Sequence, residues 1–193
     1  INQLVNVYNK GQLAAVIEQA TALTEQYPEA FVVWNLLGIS AAQTGQLDKA
    51  ILAFQRVTAI KPDYADAYNN MGLALKEQGK LDKALEAYTK ALSLKPDHVK
   101  AYYNMGSVLQ GQGKLDEAIA SYNKALSLKP DYADPYNNMG NALKEQGKSD
   151  EAIACYTKAL AIKPDYAKSY YNMGNALQDQ GKLDEAIEAY KKA

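Results

Sequence analysis

A period of 34 residues constrains this chain more than any other feature of its sequence. Proline recurs at this spacing, at Pro28, Pro62, Pro96, Pro130 and Pro164. Two series of glycines keep the same period: Gly38, Gly72, Gly106, Gly140 and Gly174, and then Gly45, Gly79, Gly113, Gly147 and Gly181. Repetition at this length indicates a small supersecondary unit that buries its apolar face against copies of itself.

The period divides the chain into repeat units. Complete units span residues 31–64, 65–98, 99–132 and 133–166, and residues 167–193 form a partial unit. Residues 1–30 form a degenerate partial unit, with Leu4 at the place of the first glycine series. We therefore expect one repeat domain over residues 1–193.

The pattern within a unit predicts two helices. Tyr68, Met71 and Leu75 have the i, i+3, i+7 spacing of one helical face. A second such face follows, made of Leu81, Ala84, Leu85, Tyr88, Ala91 and Leu92. Gly79 suits the left-handed residue that ends the first helix, and Asp97 can cap the first helix of the next unit. The predicted fold class is therefore all-α, built from antiparallel helix pairs.

The composition argues against several kinds of site. His98 is the only histidine and Cys155 the only cysteine, so a metal site or a catalytic triad has little material. The net charge of −1 gives no general attraction to nucleic acid or to an anionic membrane. No apolar run approaches the ~20 residues that cross a bilayer. We expect no enzyme activity, no cofactor, no metal, no nucleic acid or membrane binding, and a cytoplasmic location, since no internal disulfide is possible.

The residues of the first complete unit resemble the tetratricopeptide repeat. The matching positions are Trp34, Leu37, Gly38, Ala41, Ala50, Phe54 and Pro62, with Ala41 where an aromatic residue is usual. Later units carry tyrosine at the positions of Trp34 and Phe54. The resemblance implies a right-handed superhelical solenoid whose first helices line the concave side. It also implies a scaffold that binds another protein rather than a catalyst.

One row of asparagines lies on the face of the first helices that the core does not use. It consists of Asn70, Asn104, Asn138 and Asn172. Their neighbours in the groove alternate between asparagine and tyrosine: Asn69, Tyr103, Asn137 and Tyr171. The row resembles the asparagine ladder of O-GlcNAc transferases and their bacterial relatives, which implies a groove that holds an extended polypeptide by its main chain. Recent copying of one unit is the alternative explanation.

The groove also varies with a double period of 68 residues. The second and fourth units share aspartate at Asp66 and Asp134 and lysine at Lys76 and Lys144. The third and fifth units share a different set, which includes Lys100, Lys168, Gln110 and Gln178. Duplication of a block of two units explains this alternation, and recognition of a long repeating ligand is the second possibility.

Four apolar residues depart from the polar pattern at the N-terminal end of the groove: Val32, Leu36, Ile39 and Leu73. Leaving all of them in water would forgo about 1.5–3 kcal/mol for each side chain. The sequence favours an apolar docking patch for a partner or a second copy. Cover by residues 1–10, or by a segment before them, is the alternative.

Three functions stay open at this level. An interaction scaffold for an extended segment of a partner protein is the preferred one. A substrate-recruiting region of a larger enzyme is the second, such as a glycosyltransferase similar to O-GlcNAc transferase, a sulfotransferase or a methyltransferase. The chain starts at Ile1 rather than methionine, which fits a fragment. Self-assembly is the third, with homo-oligomers formed through uncapped ends at Ala186, Ile187 and Tyr190.

Overall fold

The computed structural model describes all 193 residues, which fold into twelve α-helices and no strand. The predicted all-α fold is confirmed. The helices are α1 (Asn2–Asn9), α2 (Leu13–Gln26), α3 (Phe31–Gln43), α4 (Leu47–Ile60), α5 (Ala65–Glu77), α6 (Leu81–Leu94), α7 (Val99–Gly111), α8 (Leu115–Leu128), α9 (Ala133–Glu145), α10 (Ser149–Ile162), α11 (Ala167–Asp179) and α12 (Leu183–Lys192). Consecutive helices pair as hairpins, and we call the odd-numbered members first helices and the even-numbered members second helices. None of the twelve is long and apolar enough to cross a bilayer.

The hairpins group into two compact units. Unit 1 is Ile1–Pro96 and contains α1 to α6, and unit 2 is Asp97–Ala193 and contains α7 to α12. Each unit therefore has three hairpins, and the candidate site described below lies within unit 2.

The turns inside the hairpins follow the sequence prediction. Gly79 adopts a φ of +74°, which only glycine takes up without strain. Its N–H donates to the carbonyl of Lys76 at 2.9 Å, and the N–H of Lys80 donates to the carbonyl of Leu75 at 2.9 Å. These bonds satisfy carbonyls at the end of α5 that have no partner within the helix.

The predicted cap at Asp97 is corrected by the structure. Helix α7 begins at Val99, and its N-cap residue is His98. Asp97 lies one residue too early to act as that cap. The Nδ1 atom of His98 instead accepts the N–H of Ala101 at 3.3 Å. His98 is therefore a buried capping residue.

A glycine against an aromatic ring sets the packing of five hairpins. The pairs are Gly38 with Phe54, Gly72 with Tyr88, Gly106 with Tyr122, Gly140 with Tyr156, and Gly174 with Tyr190. A Cβ atom added to any of these glycines would lie 2.5–2.7 Å from a ring carbon. Because real Cβ atoms do not approach so closely, a larger residue would push the two helices apart.

In the first hairpin the large and the small residue of this contact are exchanged between the two helices. Leu4 in α1 stands where the other hairpins have glycine, and Ala20 in α2 stands where they have the aromatic ring. Both side chains are buried in one cluster with Val16 and Ile17. Residues 1–30 thus keep the hairpin with a large residue on the first helix and a small residue on the second.

Replacing Gly140 by alanine should lower the free energy of unfolding by about 1–3 kcal/mol, because the new methyl group overpacks a closed site. Gly111→Ala is the matched control, since Gly111 is also helical but has no atom near its missing Cβ. That substitution should be neutral or raise stability by up to about 1 kcal/mol through helix propensity. Urea denaturation followed by circular dichroism measures both variants. Equal effects at the two positions would contradict the packing explanation.

Candidate functional site

The asparagine row lies at one position on four first helices. Asn70 is in α5, Asn104 in α7, Asn138 in α9 and Asn172 in α11. All four side chains are partly buried. In unit 1, the Oδ1 atom of Asn70 accepts the Nδ2 group of Asn69 at 3.2 Å.

In unit 2 the row belongs to a hydrogen-bonded network that connects three first helices. The Nδ2 group of Asn138 donates to the hydroxyl of Tyr103 at 3.3 Å. The Oδ1 atom of Asn138 accepts the Nδ2 group of Asn137 at 3.2 Å. The Oδ1 atom of Asn137 accepts both Asn172 Nδ2 at 3.0 Å and Ser169 Oγ at 2.9 Å. The network therefore holds the amides of Asn138 and Asn172 in fixed orientations.

The neighbouring groove positions divide into buried and exposed residues. The side chains of Asn69 and Asn137 are buried, Asn137 completely. They therefore do not line the groove, which differs from the prediction made from the sequence. Each donates a hydrogen bond to the neighbouring asparagine of the row. Tyr103 is partly buried, with its ring 5.4 Å from that of Tyr132. Tyr171 is 56% exposed and packs against Tyr190 at 5.9 Å.

Beside the network, the first helices of unit 2 form a polar pocket of about 250 Å³. We call it the polar pocket, and its lining residues are Gln110, Asn141, Lys144, Glu145, Tyr156 and Asn172. The carboxylate of Glu145 accepts the Nε2 group of Gln110 at 2.8 Å. The ammonium of Lys144 lies 3.3 Å from the carboxylate of Asp179. Both charged side chains of the pocket thus already have partners.

A core tyrosine, Tyr156, lines the polar pocket. Tyr156 donates to the Oδ1 atom of Asn141 at 2.8 Å. Burial raises the pKa of Tyr156, with smaller contributions from Cys155 and Glu145, so the hydroxyl stays protonated at neutral pH. Because the Oδ1 atom of Asn141 is used in this way, its Nδ2 group is left as a donor toward the pocket.

Residues of the double period make contacts between hairpins in the structure. Three side-chain pairs connect neighbouring hairpins of unit 2, and each includes a residue of the double-period set: Gln110 with Glu145, Tyr103 with Asn138, and Lys144 with Asp179. Asn138 itself belongs to the constant asparagine row, and Asp179 stands where the third unit has Gly111. Residues of the double-period set thus take part in contacts between neighbouring hairpins of unit 2.

The apolar residues of unit 1 do not form the exposed docking patch that the sequence favours. Leu36 is only 8% exposed and belongs to the cluster of Leu4 and Val16, against which Val32 also packs. Ile39 packs on the separate cluster that contains Phe54. Val32 and Leu36 thus pack with residues of the first hairpin, among which Leu4 lies within residues 1–10, whereas Ile39 packs elsewhere in unit 1. Only Leu73 remains exposed, at 37%.

Leucine at position 73 leaves a buried hydroxyl of unit 1 without a hydrogen-bond partner. Leu73 occupies the position that Asn141 and Asn175 occupy in the last two hairpins. Asn141 and Asn175 accept the hydroxyls of Tyr156 and Tyr190, both at 2.8 Å. The equivalent hydroxyl of Tyr88 is buried without a partner, because leucine cannot accept a hydrogen bond.

Cys155 is the one thiol of the chain, and it is buried. Burial raises the pKa of the Cys155 thiol, which is the reverse of what activates a cysteine nucleophile. No three His, Cys, Asp or Glu side chains come together as a metal site.

Tandem helical hairpins, five of the six with a glycine against an aromatic ring, define a helical-repeat protein. The chain belongs to the tetratricopeptide repeat family. A model described as TPR repeat matches residues 41–79, 111–147 and 140–181. Two models described as tetratricopeptide repeat match residues 65–98 and 87–120. No curated protein matches the chain.

Solved structures of tetratricopeptide proteins share this fold. A crystal structure of MamA is 29% identical and superposes with a TM-score of 0.75, covering 81% of this chain and 91% of MamA. YrrB, described as a TPR protein with an unusual peptide-binding site, is 20% identical with a TM-score of 0.72 and 91% coverage of both chains. PilF of Pseudomonas aeruginosa is 22% identical with a TM-score of 0.78, covering 86% of this chain and 75% of PilF. The likenesses to YrrB and PilF establish the fold alone.

The two core tyrosines should respond differently to loss of the hydroxyl. Tyr156→Phe should lower the free energy of unfolding by about 0.5–1.5 kcal/mol, because a hydrogen bond is lost. Tyr88→Phe should be neutral or stabilising, because it removes a buried hydroxyl that has no partner. Urea denaturation of both variants measures the difference.

Introducing the missing acceptor provides the control. In a Leu73→Asn background, Tyr88→Phe should become destabilising, and a double-mutant cycle should give a coupling of about 0.5–1.5 kcal/mol. A coupling of zero would show that an asparagine introduced at position 73 does not accept a hydrogen bond from the hydroxyl of Tyr88.

Proposed function

We propose that the first-helix face of unit 2 binds an extended segment of a partner protein, and that the chain serves as an interaction scaffold without catalysis of its own. Membership of the tetratricopeptide family supports this function. The description of YrrB names a peptide-binding site in a protein of the same fold.

The observation that carries the proposal is the state of Asn172. One N–H of its amide donates to Asn137, which leaves the second N–H and the Oδ1 atom for a ligand. The same residue lines the polar pocket. A free donor next to a free acceptor matches one peptide unit of a main chain. Because the network fixes the amide before a ligand arrives, little side-chain entropy is lost on binding.

The charges of the polar pocket favour recognition of main chain over recognition of a charged side chain. Lys144 is paired with Asp179, and Glu145 accepts from Gln110. A ligand with a strong charge would have to displace one of these partners. A neutral stretch of backbone would instead meet the amides of Asn141 and Asn172. We therefore infer a ligand that is extended and locally uncharged.

Asn172→Ala should weaken the binding of such a peptide by about 0.5–1.5 kcal/mol, or roughly threefold to tenfold in Kd. Peptides selected on the wild-type chain from a random display library provide the ligand, and fluorescence anisotropy measures Kd. Asn172 is a sharper choice than Asn138, because Asn138 links Tyr103 to Asn137 and its loss would break two contacts.

Asn123→Ala is the matched control, since Asn123 is an exposed asparagine of the second helix α8 in the same unit. It should leave Kd unchanged. N-methylation of successive backbone amides of the peptide should also weaken binding, because it removes main-chain donors. Equal affinities for wild type and Asn172→Ala, or for methylated and unmethylated peptide, would contradict main-chain recognition at this site.

A further inference from the structure

Each unit carries a second kind of cleft, on a helix face other than the one that bears the asparagine row. In unit 1 the cleft has a volume of about 360 Å³ and an apolar floor that includes Ile51, Met71 and Leu75. The equivalent cleft of unit 2 has a volume of about 460 Å³. Its floor consists of the corresponding residues, Ile153, Met173 and Leu177. The repeat therefore presents nearly the same apolar surface twice.

The rims of the two clefts differ in charge at one repeat position, while Lys182 and Asp82 are the counterparts of Lys80 and Asp184. Three lysines and one glutamate border the cleft of unit 1: Lys80, Lys83, Lys90 and Glu86. One lysine and three carboxylates border the cleft of unit 2: Lys192, Asp184, Glu185 and Glu188. We call them the basic cleft and the acidic cleft. The difference lies at the repeat position where the basic cleft has Lys83 and the acidic cleft has Glu185.

The lysines of the basic cleft are not used by the fold. None of the three takes part in a salt bridge or lies over an aromatic ring, and all three are exposed. In the acidic cleft, by contrast, Lys192 lies 5.8 Å from the centre of the Tyr170 ring, and Glu188 pairs with Lys191 at 2.7 Å. The basic cleft thus combines an apolar floor with three ammonium groups that have no internal partner.

We propose that the basic cleft is a docking site for an acidic peptide segment that carries an apolar side chain. The apolar side chain fills the space above Ile51, Met71 and Leu75, where its burial gives most of the favourable free energy. Flanking carboxylates of the peptide meet Lys80, Lys83 and Lys90, which adds selectivity and faster association. This site is separate from the polar pocket of unit 2.

A short fluorescent peptide of glutamates with a central pair of leucines is a suitable probe. Fluorescence anisotropy at low salt should show saturable binding of one peptide per wild-type chain. Lys83→Glu should weaken binding by about tenfold, because one attraction becomes a repulsion of similar size. The melting temperature should not change, since Lys83 is exposed. Asn172→Ala should bind the probe like wild type, which separates this site from the proposed main-chain site.

Exchanging the charge in the other cleft gives a gain-of-function test. Glu185→Lys places in the acidic cleft the residue type that the basic cleft has at that position. It should add a second, weaker binding site for the same peptide without changing the fold, because Glu185 is exposed. Loss of binding in Lys83→Glu together with gain in Glu185→Lys would assign the specificity to this rim position.

Several results would overturn the proposal. A peptide of glutamates without leucine that binds as well would show that the apolar floor takes no part. Single-stranded oligothymidylate that binds as tightly would indicate an unspecific anion surface. Wild-type chains that self-associate in sedimentation, and that Lys83→Glu turns into monomers, would make a second copy the occupant. Wild-type affinity of Lys83→Glu for the probe would exclude the cleft altogether.

Discussion

The contact between a glycine on the first helix and an aromatic ring on the second fixes how closely the two helices of a hairpin approach. The ring carbons leave no room for a Cβ atom at any of the five glycines, and the rings of Tyr88, Tyr122 and Tyr156 are fully buried. Helix separation in turn determines which side chains reach the groove. The exchange of Leu4 and Ala20 in the first hairpin shows that the combined volume is what must be kept.

Tyrosine in place of phenylalanine connects this core contact with the groove. A phenyl ring has no polar atom, but a buried hydroxyl requires a hydrogen-bond partner. The hydroxyls of Tyr156 and Tyr190 find theirs in Asn141 and Asn175. Part of the polar character of the groove therefore serves the core. The two asparagines of the network differ in the same way, since Asn137 is buried and accepts two hydrogen bonds, whereas Asn172 is partly buried and donates one of them.

The sequence was sufficient for features that depend on spacing within one repeat, and insufficient for those that depend on neighbouring repeats. The period predicted the helix pairs, and Gly79 predicted its turn, because both follow from local backbone preferences. The pairing of Gln110 with Glu145 links residues 35 positions apart, and such pairs require knowledge of how the hairpins stack. The burial of Leu36 was missed for the same reason, since its cover comes from the irregular first hairpin.

A repeated backbone also allows one surface position to change without consequence for the fold. Lys83 and Glu185 occupy the same place on second helices, and both side chains are exposed. Their exchange leaves the glycine and aromatic contacts untouched, so the free energy of unfolding changes little. The charge at that rim position beside the apolar floor, however, changes from positive to negative. Because the core of each hairpin is specified separately from its outer rim, two clefts with corresponding apolar residues can carry different charge at one rim position within one chain.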